Sequence, residues 1–159
     1  MTIDVLIEIP ANSSVKYEFD EDNKRLYVDR FAATPMAYPE NYGMVDQTKA
    51  PDGDPLDAFV LTIKAIVPGA WIRSKVIGMI VMKDEKGSDN KLLCVPETPG
   101  MDQSTGSWQN LSDIPQDRLD KIKHFLEHYK DLEPGKWVKV ERFADKIEAE
   151  QILEESRVK

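Results

Sequence analysis

The sequence has little cysteine and little histidine: one cysteine, Cys94, and two histidines among 159 residues. A single cysteine cannot form an intrachain disulfide, and this usage is typical of proteins in a reducing compartment. No apolar run approaches the roughly 18 residues that a membrane span requires, and residues 1–4 lack the basic start of a signal peptide. We therefore expect a cytoplasmic protein that does not associate with membranes.

Basic residues are in the minority, with 21 Lys and Arg against 29 Asp and Glu and a net charge of −8. Proteins that coat nucleic acid are usually basic, so we expect no nucleic-acid partner. Hydrophobic residues form 41% of the chain, which excludes a disordered tail. There is no internal repeat or linker, and a chain of this size buries about 69% of its unfolded surface. We expect residues 1–159 to form one domain.

Patterns of apolar residues predict a chain rich in β-structure. Strands are predicted over residues 2–9, 15–20, 25–31, 57–67, 71–82, 91–95 and 137–142. The spacing of Leu119, Ile122 and Leu126 predicts a helix after a cap at residues 113–116, and residues 144–156 form a second amphipathic stretch. Loops are predicted at residues 34–56, 84–90 and 96–113. We expect a β-rich α+β fold, a closed or partly closed barrel with about two flanking helices.

The strongest chemical signal is the hexapeptide DGDPLD at residues 52–57, which places three carboxylates within six residues. Charges this close repel one another, so the segment is either a solvated turn or a site for a divalent cation. Asp57 opens a predicted strand and falls on the same side as Phe59 and Leu61, where an unpaired carboxylate is costly. An EF-hand is excluded because the twelfth position from Asp52 is Ile63 instead of Glu.

A second acidic segment, residues 84–90, contains Asp84, Glu85 and Asp89 and is followed by Lys91. Taken alone, it is typical of an ordinary hairpin loop. Hard cations prefer oxygen ligands from separate segments of a chain, so this loop could supply the second half of a cation site.

A third set of residues is basic and phenolic. Lys16 shares a strand face with Glu18, Arg30 interrupts an apolar alternation, and Tyr129 and Lys130 end the long helix. Each of them also has an ordinary structural interpretation, as surface charge or as a core side chain with a wet hydroxyl. Together with the acidic loops, they suit a polyanionic substrate bound as its metal complex, which phosphoryl transfer requires.

Seven motifs in one order carry a resemblance to a known family. They are Glu8 within IEIP, KYE at 16–18, VDRF at 28–31, YPENYG at 38–43, DGDPLD at 52–57, the acidic loop ending at Lys91, and HYKDL at 128–132. Over residues 5–142 the chain resembles the family I soluble inorganic pyrophosphatases in their short, bacterial-type form. The resemblance implies an OB-like five-stranded β-barrel, a homohexamer, and hydrolysis of pyrophosphate to two orthophosphates by an activated water without a covalent intermediate. It also implies Mg²⁺, two or more ions per subunit, with Mn²⁺ or Zn²⁺ as substitutes.

The resemblance also assigns roles to residues. Asp54 would take the proton from the attacking water. The metal ligands would be Asp52, Asp57, Asp84 and Asp89. Pyrophosphate and the departing phosphate would be bound by Lys16, Arg30, Tyr42, Lys91, Tyr129 and Lys130. Glu8, Glu18, Tyr38 and Glu85 would form a supporting rim. Residues 97–111 depart from the family pattern, because they lack the basic and aromatic residues expected there, and they could alter the rim or a subunit contact.

Two alternatives remain open at this level. His124, Glu127 and His128 form H-x-x-E-H, a zinc peptidase signature that lacks an assigned third ligand. A barrel of this kind could also bind a carbohydrate or a nucleic acid without catalysis. Within the pyrophosphatase interpretation, His124 or His128 is predicted at a subunit contact, and protonation near pH 6 would weaken the assembly.

Overall fold

In a computed structural model that describes residues 1–158, the alternating apolar runs form strands. The strands are β1 (Thr2–Ile9), β2 (Val15–Asp20), β3 (Arg25–Phe31), β4 (Asn41–Val45), β5 (Asp57–Val60), β6 (Trp71–Asp84), β7 (Gly87–Ser88), β8 (Lys91–Pro96) and β9 (Val138–Asp145). A 3-10 helix, Leu111–Asp113, precedes helix α1 (Gln116–His128), and helix α2 (Lys146–Ser156) follows β9. Neither α-helix is long and apolar enough to span a membrane.

Five of these strands close into a barrel in the order β1-β4-β5-β8-β6, and β6 pairs with β1 to complete the circle. All five junctions are antiparallel except β5–β8, which is parallel. The long strand β6 makes closure possible, because its first residues pair with β1 and its last residues pair with β7 and β9. Strands β2 and β3 form a separate hairpin. The predicted five-stranded barrel with two helices is confirmed.

Alternation along the strands divides the core into two layers. Phe59 packs in a cluster with Ile122 and Leu126 of α1, while its neighbours Ala58 and Val60 pack in a cluster with Leu153 of α2. Each helix therefore covers one set of alternate strand residues, which is the burial that a period of two predicts.

The region predicted as one loop over residues 34–56 contains strand β4, and this prediction was wrong there. All five residues of β4 are buried between β1 and β5. Gly43 permits this position, since a Cβ on it would collide with the backbone carbonyl of Leu6. A five-residue strand that contains glycine and asparagine carries too little alternation to be recognised from sequence.

The predicted strand over residues 57–67 ends at Val60. Beyond it the Asn41 side chain accepts a hydrogen bond from the backbone N–H of Ile66 and donates to the Thr62 hydroxyl, which turns the chain away. Ile63 is consequently 68% exposed and does not continue the buried face. The expected helix cap is also different, because Asp113 accepts hydrogen bonds from the N–H groups of Gln109 and Asn110 instead of capping α1.

Candidate active site

All five of the aspartates singled out in the sequence line one open cavity of about 1000 Å³. They are Asp52, Asp54, Asp57, Asp84 and Asp89. The same cavity is lined by the predicted substrate-binding residues Lys16, Arg30, Tyr42, Lys91, Tyr129 and Lys130, and by Glu8, Glu18 and Tyr38. Glu85 lines a smaller neighbouring pocket of about 120 Å³, which shares Lys16, Arg30 and Lys130 with the large cavity. The structure therefore brings the acidic and cationic groups together around one cavity.

The parallel pairing of β5 with β8 explains why two distant acidic segments meet. Asp57 at the start of β5 lies opposite Lys91 at the start of β8. Parallel neighbours begin at the same edge of a sheet, so the segments that precede them lie side by side. Those segments are the hexapeptide at residues 52–57 and the acidic loop at residues 84–90.

Lys91 connects the two acidic segments. Its side chain is 5% exposed, and its Nζ donates to Asp57 Oδ2 at 3.2 Å, to Asp89 Oδ2 at 3.3 Å and to the Tyr42 hydroxyl at 2.7 Å. Burial alone lowers the pKa of Lys91, but the charges of Asp57 and Asp89 outweigh it and raise that pKa well above its ordinary value. Lys91 therefore stays charged and reduces the repulsion between the two carboxylates.

A second cationic group stands where the β2–β3 hairpin meets the end of α1. Arg30 Nε donates to Asp29 Oδ2 at 2.8 Å, and its Nη1 donates to Glu133 Oε1 at 2.9 Å. Lys16 Nζ lies 3.6 Å from the same Asp29 oxygen. Asp29 and Glu133 were not predicted as site residues, although Asp29 is the neighbour of Arg30 in sequence. Their carboxylates fix the direction of the guanidinium, which would otherwise have many rotamers.

Lys130 lies close to the acidic loop at residues 84–90. Its Nζ is 3.8 Å from Asp84 Oδ2 and 4.0 Å from Glu85 Oε1. Glu85 Oε2 is buried without a hydrogen-bond partner among the described residues. Lys130 thus faces the acidic loop at residues 84–90 from just beyond the end of α1.

The phenols of the cavity are held by aromatic packing. The Phe125 ring lies 4.5 Å from the Tyr38 ring and 4.7 Å from the Tyr129 ring, measured between centroids. Burial raises the pKa of Tyr129 to about 12, and burial also raises the pKa of Tyr38 and Tyr42. The three hydroxyls are therefore neutral at physiological pH and can donate hydrogen bonds to an anion.

Glu8 is the most buried carboxylate of the cavity, at 8% exposure, and its Oε2 accepts a hydrogen bond of 2.8 Å from the Phe19 N–H. Burial raises its pKa from 4.5 to about 7, and the charges of Asp57 and Glu18 act in the same direction. Glu8 therefore binds more protons in the folded than in the unfolded chain between those two pH values.

We expect Glu8→Gln to become progressively more stable than the wild type as pH rises from 5 to 8. The raised carboxyl pKa stabilises the folded state below pH 4.5, and this contribution is lost as pH rises towards 7. The two pKa values correspond to a change of about 3 kcal/mol in the free energy of unfolding, which is complete above pH 7. Thermal unfolding in EDTA at several pH values measures it, with Glu21→Gln, in the exposed turn between β2 and β3, as the control. Parallel curves for Glu8→Gln and the wild type would contradict this interpretation.

Asp52 and Asp54 lie in the exposed part of the hexapeptide. Asp52 Oδ1 accepts a hydrogen bond of 3.0 Å from the Asp54 N–H, and Gly53 between them has a φ of +92°, which favours glycine. Within residues 1–158, neither carboxylate has a cationic side-chain partner within 4.0 Å. These two groups are therefore available to a ligand or to water.

The donor set fits Mg²⁺. Among the described residues, no three carboxylate, imidazole or thiol groups stand close enough to enclose one ion. Mg²⁺ usually binds through one or two carboxylates, several waters and the oxygens of a phosphate substrate, so it needs no closed protein cage. Aspartates from two loops around one open cavity match that preference.

The remaining predicted features lie elsewhere. The His124 and His128 rings are 4.8 Å apart, but His128 Nδ1 is 2.9 Å from Asp131 Oδ2, and residues 1–158 supply no third ligand that would complete a zinc site. Residues 97–111 do not line the large cavity. The Asp102 carboxylate instead accepts a hydrogen bond from the Ile63 N–H, so this segment packs against the turn after β5.

Comparisons with known proteins show to which family the chain belongs. The family model described as Inorganic pyrophosphatase matches residues 5–159. The chain is 51% identical over 154 residues to the inorganic pyrophosphatase of Gluconobacter oxydans, covering 97% of this chain and 88% of that protein. For the inorganic pyrophosphatase of Corynebacterium efficiens, identity is 46% over 156 residues, with 98% and 96% covered. An inorganic pyrophosphatase structure from Coxiella burnetii has a TM-score of 0.94 and 47% identity, covering 98% of this chain and 92% of that one. The chain therefore belongs to the inorganic pyrophosphatase family, in its short bacterial-type form.

Proposed function

We propose that this chain hydrolyses inorganic pyrophosphate to two orthophosphate ions in a reaction that depends on Mg²⁺. The observation that carries the proposal is the cavity in which five aspartates face Lys16, Arg30 and Lys130. Membership of the family supports the activity and disfavours both a zinc peptidase and a non-catalytic binding barrel.

Asp52, Asp57, Asp84 and Asp89 are the residues that would hold the divalent cations. Bound there, Mg²⁺ supplies charge neutralisation for pyrophosphate and lowers the pKa of a nucleophilic water. Without a cation, an acidic cavity in a protein of net charge −8 repels a polyanion. Mn²⁺ and Zn²⁺ are proposed as substitutes because they accept the same oxygen ligands.

Asp54 is proposed as the general base. Its carboxylate lines the cavity, lacks a cationic partner in the described part of the chain, and lies between the proposed ligands Asp52 and Asp57 in sequence. A general base must reach the water that it deprotonates, and an unpaired carboxylate in the cavity is free to do so. Arg30, Lys130 and the neutral phenols of the same cavity would bind pyrophosphate and stabilise charge on the departing phosphate.

Phosphate release tests the proposed function. Purified protein is assayed with pyrophosphate with and without Mg²⁺, and ATP and a phosphomonoester serve as control substrates. We expect two phosphates for each pyrophosphate consumed, a requirement for the cation, and little release from the controls. Equal release with EDTA present, or a preference for the phosphomonoester, would contradict the proposal.

We also propose a homohexamer of one-domain subunits located in the cytoplasm. The resemblance to short bacterial-type members supports the hexamer, as do large apolar side chains that are exposed in one chain, such as Phe31 at 73%. The free thiol of Cys94 supports a reducing compartment such as the cytoplasm. We also propose His124 or His128 at a subunit contact. Light scattering at micromolar concentration and neutral pH should give six subunits, and a monomer would contradict the proposed hexamer.

A further inference from the structure

The hydroxyl of Thr48 occupies an unusual position in the hydrogen-bond ladder beside the aspartate segment. The last pair of the antiparallel β4–β5 ladder is Met44 with Asp57, and Val45 and Leu56 stand in the position of the next pair. The Val45 N–H donates to the Leu56 carbonyl at 2.8 Å, as the next antiparallel rung requires. The reciprocal bond is replaced: the Leu56 N–H donates to Thr48 Oγ1 at 3.0 Å, and Thr48 Oγ1 donates to the Val45 carbonyl at 2.8 Å.

This inserted hydroxyl closes the segment that carries the predicted metal ligands. The chain leaves the ladder at Val45 and returns at Leu56, so residues 46–55, including Asp52 and Asp54, form a loop with its two ends joined through Thr48. Thr48 is 5% exposed, and Val45 and Leu56 are buried, so water has little access to the groups that Thr48 satisfies. A backbone N–H and a carbonyl in that position depend on the hydroxyl for their hydrogen bonds.

Further hydrogen bonds hold Thr48 itself in place. Its backbone forms a β-bridge with Arg157, the Lys49 N–H donates to the Ser156 carbonyl at 2.7 Å, and the Val158 N–H donates to the Gln47 carbonyl at 3.0 Å. The residues after α2 are therefore attached to one side of the loop. Inside the loop, the Ala50 N–H donates to the Asp54 carbonyl at 2.7 Å. This bond restrains the backbone of the segment that carries Asp52 and Asp54.

We propose that Thr48 is a positioning residue, whose hydroxyl sets the geometry in which Asp52 and Asp54 bind the cation and accept the proton. The inference rests on the proposed function, but it concerns a residue with no charge and no place in the cavity lining. Side chains that support metal ligands without touching the ion typically change metal affinity or activity by about ten- to a hundredfold when removed. A hydroxyl inserted into a ladder can do this without itself contacting substrate.

The variants are Thr48→Val, which keeps the shape but removes the hydroxyl, and Thr48→Ser, which keeps the hydroxyl. Thr62→Val is the matched control, because the Thr62 hydroxyl also joins two groups, Asn41 Nδ2 at the start of β4 and the Lys64 carbonyl, but in a turn without predicted ligands. For Thr48→Val we expect the Mg²⁺ concentration for half-maximal hydrolysis to rise about tenfold and kcat to fall about tenfold or more. Thr48→Ser should remain within about threefold of the wild type.

Two outcomes would overturn the inference: Thr48→Val with an unchanged Mg²⁺ requirement and kcat, or Thr48→Ser as impaired as Thr48→Val while Thr62→Val is normal. A wild type that does not hydrolyse pyrophosphate would instead remove the proposed function. The two failures are therefore distinguishable.

Hydrogen exchange supplies a readout without activity and without the Thr48→Val variant. In EDTA, the Leu56 amide of the wild type should exchange at least about a hundredfold more slowly than the amide of Asp22 in the exposed turn between β2 and β3, because exchange requires the buried bond to open. Thr48→Ser should preserve most of that protection. A Leu56 amide that exchanges as fast as that of Asp22 would show that the hydroxyl does not close the loop, and it would overturn the inference even if Thr48→Val does not fold.

Discussion

Asp54→Asn should reduce kcat for pyrophosphate by about 10²–10⁴-fold, the range that a positioned general base contributes. Asparagine keeps the size of the side chain but cannot accept the proton. The Asp54 carbonyl accepts a hydrogen bond from the Ala50 N–H, and the Asp54 N–H donates to Asp52 Oδ1. Both bonds use backbone atoms of Asp54, so the substitution leaves them intact. We therefore expect unchanged thermal stability and a Mg²⁺ affinity within a few-fold of the wild type.

The comparison variant for this experiment is Asp22→Asn, an exposed aspartate in the turn between β2 and β3, which lies outside the cavity lining. It makes the same chemical change at a site without a proposed role, so its kcat should equal that of the wild type. Wild-type turnover in Asp54→Asn would exclude Asp54 as the base.

Lys91→Met should weaken both the fold and the reaction. The substitution removes the buried cation between Asp57 and Asp89 and leaves two carboxylates facing each other. Breaking a buried ion pair costs about 3–5 kcal/mol, but each of these carboxylates is about one-third exposed and can recover hydration, so we expect a loss of about 2 kcal/mol. For a chain of this length that lowers Tm by about 4–8 °C.

The pH dependence of the Lys91 effect has a defined sign. The pKa of Lys91 is raised in the folded chain, so its stabilising contribution is complete below the ordinary lysine pKa and constant from pH 6 to 9. Added Mg²⁺ should reduce the stability deficit of Lys91→Met, because a divalent cation neutralises the same carboxylates.

Lys83→Met is the control for Lys91→Met. Lys83 pairs with Glu141 at 3.4 Å on the surface, where both side chains are more than 40% exposed, and such a pair contributes about 0–1 kcal/mol. Equal stability losses in Lys83→Met and Lys91→Met, or a Lys91→Met deficit that added Mg²⁺ does not reduce, would contradict the bridging role of Lys91.

The local pattern was sufficient to select the acidic residues of the site. Three carboxylates around Pro55 and Gly53 cannot pack in a core, and a second acidic loop before Lys91 repeats the composition. Alternating strands and two late helices likewise followed from periodicity, which is a property of neighbouring residues along the chain. Strand β4 was not predicted, because its burial depends on a close approach of Gly43 to the backbone of Leu6 in β1.

Partners that are distant in sequence could not be predicted. Glu133 hydrogen-bonds Arg30 across 103 positions of sequence, and Asp102 binds the N–H of Ile63 across 39. Thr48 shows the same limitation within a shorter segment, since a buried threonine gives no sign of which backbone groups it will satisfy. Such contacts depend on strand order, and many strand orders are compatible with the same local pattern.

The sequence by itself determined which residues carry charge, where most of the strands and both α-helices form, and the family resemblance that predicted the reaction. Only the tertiary structure decided that β5 and β8 run parallel and begin at one edge, so that the hexapeptide and the loop at residues 84–90 share a cavity with Lys91 between them. The physical reason is that periodicity and charge are local properties of a chain. Hydrogen bonds and ion pairs across the barrel arise only when its closure brings distant segments together.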